Sequence, residues 1–227
     1  MPIIIRLDGR YFSRYTKALD FKKPFDQRLR DIFIEVSKDI VKEFNARYIY
    51  TFSDEINILL DVIPFNGRVE KINSVFASYA TASFNKHLYQ NKQLLEKSME
   101  SDMLASFDSR IIMTHQHITS YFKWRQDEAW RNCINSYAQA VLNKTNTPKQ
   151  TAELLYKLNK KEVHDLLFEH GINIAHVPAW QRRGIAVYKE QYEVEGFNPI
   201  ENKSTISYRN KIKVDMQLDI FNSNTNI

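Results

Sequence analysis

The sequence predicts an α+β fold built on one antiparallel sheet in the order strand, helix, strand, strand, helix, strand. Three observations carry that prediction. The β-branched run Ile3-Ile4-Ile5 leads to Leu7-Asp8-Gly9, which reads as a buried strand entering a turn. Two further β-rich runs, residues 47–52 and 56–62, are separated only by Ser53-Asp54-Glu55, the spacing of a hairpin. Two long stretches between the strand-like runs repeat their apolar residues at helical spacing.

Taken in order, residues 3–7 form the first strand and residues 10–23 an aromatic and basic loop. Pro24 and Asp26 precede Leu29, Ile32, Phe33, Val36, Ile40, Val41 and Phe44, so Asp26 is placed to cap the first helix. The hairpin follows, and Pro64 and Gly67 then break the chain. Ile72, Val75, Phe76, Tyr79, Ala80, Ser83 and Phe84 mark a second long helix over residues 69–89, and residues 107–114 supply the fourth strand. This is the split βαβ order of a ferredoxin-like sheet. Right-handed crossovers set the first and third strands side by side and antiparallel at its centre. Asp8, at the end of the first strand, then lies beside Asp54, at the tip of the hairpin.

Beyond residue 114 the chain reads as mainly helical. Helices are expected over residues 118–142, from the Thr147-Pro148 start, and over residues 160–170 closed by Gly171. The segment Gln181-Arg182-Arg183-Gly184 leads into a short strand at residues 185–188, and the tail after Phe197, rich in Asn, Ser and Lys, reads as partly mobile. The expectation is one domain over residues 1–227: a core over about 1–115 and a mainly helical remainder, with a small strand-containing extension, over about 116–227.

With 227 residues and 43% apolar content, the chain can bury one sizeable core. Its formal charge of +5 favours a polyanionic partner without identifying one. A single cysteine, Cys133, excludes an internal disulfide and points to a cytosolic setting, or a mitochondrial one in a eukaryote. No apolar run approaches the roughly 20 residues that span a bilayer. His115 and His117 lie two residues apart at a strand end, but no Cys or acidic cluster completes a zinc set around them.

The chemistry the acids allow is two-metal phosphoryl transfer, in which two Mg²⁺ ions about 4 Å apart are held by bridging carboxylates. Asp8 and Asp54 are the candidates, with the Gly9 carbonyl as a further oxygen. Gly9 lets the backbone approach a phosphate closely, and the amides of Arg10, Tyr11 and Phe12 are candidates for an anion-binding nest. Either acid alone reads as well as the end of a strand or the support of a turn.

The series Arg6-Leu7-Asp8-Gly9-Arg10-Tyr11-Phe12-Ser13-Arg14-Tyr15, Phe21-Lys22-Lys23-Pro24-Phe25-Asp26 and Ser53-Asp54-Glu55 closely resembles the tRNA-His guanylyltransferase superfamily. Arg68-Val69-Glu70-Lys71, Phe107-Asp108-Ser109-Arg110, Trp124-Arg125-Gln126-Asp127 and Arg183-Gly184 continue the resemblance in register. It implies a polymerase-like palm and nucleotide addition in the 3′ to 5′ direction at the 5′ end of tRNA. ATP would activate a 5′-monophosphate as an adenylylated end, and the 3′-hydroxyl of GTP or another incoming nucleotide would attack the activated phosphorus. The resemblance implies Asp8, Gly9 and Asp54 as metal ligands, and Asp8, Asp54 and Glu55 as catalytic residues. It implies that Arg10, Tyr11 and Phe12 cradle the triphosphate, that Lys23, Asp26 and Ser53 serve activation and phosphate handling, and that Arg68 and Lys71 contact phosphate. By analogy it also implies a homotetramer. Lys123, Arg125, Arg131, Arg182 and Arg183 are candidates for a tRNA-binding surface.

The sequence departs from the family pattern at positions that bear on substrate. Ser13 stands where His is common and Phe25 where Asn is common. Trp130-Arg131-Asn132-Cys133 aligns with the His-Ile-Asn-Asn segment that eukaryotic members use to recognise tRNA-His. This pattern resembles the tRNA-His guanylyltransferase-like proteins, associated with template-dependent repair of 5′-truncated tRNAs. Addition of a single guanosine to tRNA-His, a nucleotidyl cyclase and a non-catalytic tRNA-binding protein remain as competing expectations.

Overall fold

The computed structural model describes residues 1–100, 103–113, 117–198, 202–222, 225 and 227. One six-stranded antiparallel sheet organises the chain. Its strands are β1 (Ile3–Gly9), β2 (Tyr48–Phe52), β3 (Glu55–Leu60), β4 (Phe107–Ile112), β5 (Ile185–Asn198) and β6 (Lys203–Asp215). Their spatial order is β4-β1-β3-β2-β5-β6, so β1 and β3 pair antiparallel as the sequence predicts. Thr114 and His115 lie outside the described residues.

Helices α1 (Phe12–Ala18), α2 (Gln27–Phe44), α3 (Val69–Tyr89) and α4 (Lys92–Met99) belong to the first half of the chain, with a short 3₁₀ turn over Pro64–Gly67. Asp26 caps α2 by accepting the Arg28 amide at 2.8 Å. Alternation along β1 sends Ile3, Ile5 and Leu7 into the core that α2 and α3 cover with Phe33, Val36, Ile40, Phe76, Ala80 and Phe84. Ile4 points the other way, towards α5 (Ile118–Leu142), where Tyr121 and Phe122 pack with Tyr48, Tyr50 and Leu59. Both faces of β1 are covered, which explains its unbroken apolar run. Helices α6 (Pro148–Lys157), α7 (Lys160–Glu169) and α8 (Ala179–Arg183) complete the remainder; Val163 and Leu167 of α7 pack with Ala138 and Val141 of α5.

Three expectations change. The segment expected as a loop contains α1, whose Phe12, Tyr15, Thr16 and Leu19 are buried at helical spacing. Helix α4, capped by Asn91, adds an element between α3 and β4. The short strand and tail become the long β5–β6 hairpin. Most of its outer residues are exposed, so no apolar alternation marks it in the sequence.

Asp39 ties α2 to α3: its Oδ2 accepts Ser83 Oγ at 2.8 Å and Lys86 Nζ at 2.9 Å, and lies 2.9 Å from His87 Nε2. Burial raises the Asp39 carboxyl pKa, but these partners outweigh it and bring it down to about 2. The depressed value means the contribution is complete above the ordinary carboxylate range, near 4, and is lost as pH falls towards 2. Asp39→Asn is expected to cost about 1–2 kcal/mol at pH 7. Thermal melts of both proteins should show that gap narrowing as pH falls from about 4 towards 2; a gap independent of pH refutes the assignment.

Candidate active site

Gly9 is where the strand end and the hairpin tip lock together. Its amide donates to the Asp54 carbonyl at 3.1 Å, and a Cβ built on it would lie 2.9 Å from Asp54 Cβ and 2.4 Å from Phe12 Cδ2. Only a residue without a side chain permits that approach. Gly9→Ala should therefore push the tip away from Asp8 and reduce nucleotide addition by about 100-fold or more; near-native activity would show that the tip tolerates the shift. Register places Glu55 and Asp108 opposite Asp8 on its two sides. Tyr11, three residues after Asp8, and Ser53, beside Asp54, both hold φ 55°, a left-handed conformation uncommon for such residues.

The Asp8 and Asp54 carboxyls open on a cleft of about 840 Å³ between the sheet edge, the segment 13–25 and α5. Burial pushes the Asp54 carboxyl up to about 6; hydrogen bonds from its own amide and from Ser53 oppose the rise, and the charges of Asp8 and Glu55 add to it. A second, more apolar recess joins Asp54, Ser53, Lys23 and Ser13 to Phe25, Phe33 and Trp180. Glu55 lines the same cleft, but its carboxylate is already engaged. Arg125 grips it with Nε at 2.8 Å and Nη2 at 2.5 Å, and Asn57 Nδ2 donates to it at 2.8 Å. Tyr121 Oη in turn donates to Asn57 Oδ1 at 2.6 Å. Arg6 stands between the acids, 4.0 Å from Asp8 and 4.0 Å from Glu55, and its buried Nε has no hydrogen-bond partner among the described residues.

This donor set fits hard cations. Among the described residues no group of three or more His, Cys, Asp or Glu is placed to hold a metal. Two carboxylates beside an open cleft are hard oxygen donors of the kind Mg²⁺ takes together with substrate phosphates and water.

A family model described as tRNAHis guanylyltransferase matches residues 1–115. The chain belongs to the tRNAHis guanylyltransferase family. The probable tRNA(His) guanylyltransferase of Dictyostelium discoideum is 31% identical over 196 residues, covering 83% of this chain and 75% of its own. The Saccharomyces cerevisiae tRNA(His) guanylyltransferase is 28% identical over 197 residues, covering 83% of this chain and 82% of its own. A bacterial tRNA(His) guanylyltransferase-like protein in complex with ATP superimposes with a TM-score of 0.73 at 33% identity, covering 97% of this chain and 85% of that one. A complex with GTP gives 0.70 at 33% identity, covering 97% and 84%. The chain is thus similar along almost its whole length to nucleotide-binding members of the tRNAHis guanylyltransferase family.

Within that family frame, the expected site residues divide. Asp8, Gly9, Asp54, Ser53 and Lys23 meet at the cleft. Arg10 and Tyr11 are exposed beside it, but the Arg10 amide donates to the Ser106 carbonyl at 2.8 Å, which removes it from the expected nest. Phe12 packs its ring against Phe33, Phe84 and Phe107 and leaves only its backbone to the site. Asp26 lines the cavity wall, yet its oxygens are taken by Arg28 and the Lys22 amide, making it chiefly a helix cap.

Arg68 and Lys71 open α3 and do not line the cleft of Asp8 and Asp54. Both contact Phe65 there. The expected tRNA-binding cations also have local partners: Lys123 with Asp127, Arg125 with Glu55, Arg131 with Glu128, Arg182 with the Val177 carbonyl and Arg183 with the Leu218 carbonyl. The uncharged stripe Asn132, Asn135, Ser136 and Gln139, which with Arg125 and Glu128 lines the α5 side of the cleft, was not among the expectations. Its spacing of three and four residues is the signal that marks it.

Proposed function

We propose that this chain adds nucleotides in the 3′ to 5′ direction to the 5′ end of tRNA, choosing each by pairing with the opposite strand, and so restores 5′-truncated tRNAs. The observation that carries the reading is the apposition of Asp8 and Asp54 through Gly9 at the floor of an open cleft, in a chain of the tRNAHis guanylyltransferase family. Asp8, Asp54 and the Gly9 carbonyl would hold two Mg²⁺ ions, which would favour the attacking 3′-oxygen and neutralise charge on the triphosphate.

The chain's own residues supply the remainder. Lys23 presents its ammonium to the cleft, 3.5 Å from Thr16 Oγ1, as a counter-charge for phosphate. The opening of α1, where Tyr11 turns the backbone, offers amides to an anion. The uncharged stripe Asn132, Asn135, Ser136 and Gln139 on α5 suits sugar and base edges better than phosphate. The new bond joins the nucleotide 3′-oxygen to the 5′ phosphorus of the RNA, and AMP or pyrophosphate leaves. A homotetramer belongs to the same reading: Arg68 and Lys71 do not line the cleft of Asp8 and Asp54, and an assembly would let these cations serve another subunit's site.

Trp130-Arg131-Asn132-Cys133, in place of the His-Ile-Asn-Asn segment, favours general repair over obligatory guanosine addition to tRNA-His. Purified protein given 5′-truncated tRNA-His and several other truncated tRNAs should extend them all. Extension restricted to tRNA-His would sink the repair reading and leave the single-guanosine activity.

A further inference from the structure

Gln126 sits on the inner face of α5, where Tyr121, Phe122, Arg125 and Ala129 recur at helical spacing. It is only 4% exposed and does not line the cleft. A buried amide needs partners, and this one finds all of them in backbone. Its Nε2 donates to the Asp219 carbonyl at 3.0 Å and to the Arg183 carbonyl at 3.3 Å, while its Oε1 accepts the Phe221 amide at 2.8 Å. Both N–H groups and the oxygen are in use. One side chain therefore joins three pieces of chain: α5, the turn from α8 into β5, and the segment that follows β6.

Each piece is also fixed from another side. Arg183 Nη1 donates to the Leu218 carbonyl at 2.9 Å, and Leu218 and Phe221 are buried in the cluster of Tyr48, Tyr50, Tyr121 and Phe122. Gly184, at φ 79°, lies so close to the Tyr50 ring that a Cβ on it would stand 2.6 Å from Tyr50 Oη. The turn has no room to shift.

The helix so anchored carries Arg125, the residue before Gln126. Tyr121 and Phe122 hold α5 to the sheet mainly by apolar contact, which is non-directional and sets the spacing of helix and sheet better than the position of the helix along its axis. Hydrogen bonds of defined geometry set that position. Arg125 needs it, because its grip on Glu55 at 2.8 and 2.5 Å would not survive a slide of one residue, or about 1.5 Å. Trp180 of α8, meanwhile, meets Phe25 in the apolar recess at 5.8 Å. Both walls beside the acids thus trace back to one buried amide.

We propose that Gln126 is a positioning residue for nucleotide addition: by tying α5 to the α8–β5 turn and to residues 218–221, it holds Arg125 on Glu55 and so keeps the Asp54 tip in place beside Asp8. The inference rests on the proposed function for the reaction that is assayed.

Three quantities test it: kcat, KM for the nucleoside triphosphate, and backbone hydrogen exchange at residues 52–56, all well below the melting temperature. Gln126→Met keeps about the same length and loses every hydrogen bond; Gln126→Glu keeps the shape and one acceptor. Each is measured alone and joined to Glu55→Gln, and Asp39→Asn, on the face that α2 and α3 cover, controls for lost stability alone. Alone, each Gln126 variant should lower kcat about tenfold, with KM changed less than about twofold and faster exchange at the tip. Joined to Glu55→Gln it should cost at most about threefold more, because the grip it supports is already weakened. Asp39→Asn should leave kcat and exchange at the tip unchanged.

A tenfold loss in both backgrounds, a rise in KM with kcat unchanged, or the same loss in Asp39→Asn overturns the proposal. Failure of both Gln126 variants to fold also overturns it and assigns Gln126 to stability alone. Exchange does not depend on activity: an inactive wild type whose Gln126 variants exchange faster at the tip overturns the proposed function and leaves the positioning role, while an inactive wild type with unchanged exchange removes both.

Discussion

Replacing Asp8 or Asp54 with alanine is expected to reduce 5′ nucleotide addition by at least about 1000-fold while leaving the fold intact. The two carboxylates stand at the junction of strand end and hairpin tip, and neither has a role in packing that would explain its place there. Asp54 is held half-buried beside Asp8 and Glu55, charges of its own sign. Asp54→Asn therefore removes repulsion as well as function, and its melting temperature should equal or exceed that of wild type. An Asp54 variant that keeps activity would remove the acid pair from the chemistry. One that unfolds would show that the tip is structural.

Glu55→Ala should behave in the opposite way. Glu55 and Arg125 are only 12% and 14% exposed at their side chains, and Arg6 lies 4.0 Å from the same carboxylate. Removing Glu55 leaves two guanidinium groups facing a gap, and breaking a buried pair from one side costs about 3 kcal/mol. A melting temperature lower by about 10 °C is expected for a chain of this size. Activity should fall by roughly 100-fold, because α5 no longer fixes the tip. Glu55→Gln, which keeps a hydrogen-bonding side chain, should recover part of both. If Glu55→Ala keeps its melting temperature yet loses activity as fully as Asp8→Ala, Glu55 contacts the reacting atoms and its positioning role is wrong.

Most of the sheet was legible because its residues obey strong local rules. Ile3-Ile4-Ile5 reads as a strand covered on both faces, Asp26 as a cap, and Ser53-Asp54 as a tight connection. The meeting of Asp8 and Asp54 followed from strand order alone. What remained hidden depended on partners remote in sequence. Glu55 is indistinguishable from an open ligand until Arg125, seventy residues away, is seen to grip it. Arg68 and Lys71 sit three residues apart at the start of α3, but neither lines the cleft, which only the folded chain shows. The β5–β6 hairpin carries polar and charged residues on both faces, so its strands lack the apolar pattern that reveals β3. Helix α1 was obscured by the aromatic and basic character of its flanks, although Phe12, Tyr15, Thr16 and Leu19 carry helical spacing.

The central claim is that nucleotide choice at the 5′ end comes from the opposite strand and not from the protein. It is tested most directly on one 5′-truncated tRNA prepared with each of the four bases opposite the first missing position, incubated with Mg²⁺, ATP and all nucleoside triphosphates. The account predicts that the added nucleotide changes with that base, pairing with it in every case. Addition of guanosine regardless of the opposing base, or to tRNA-His alone, would contradict it.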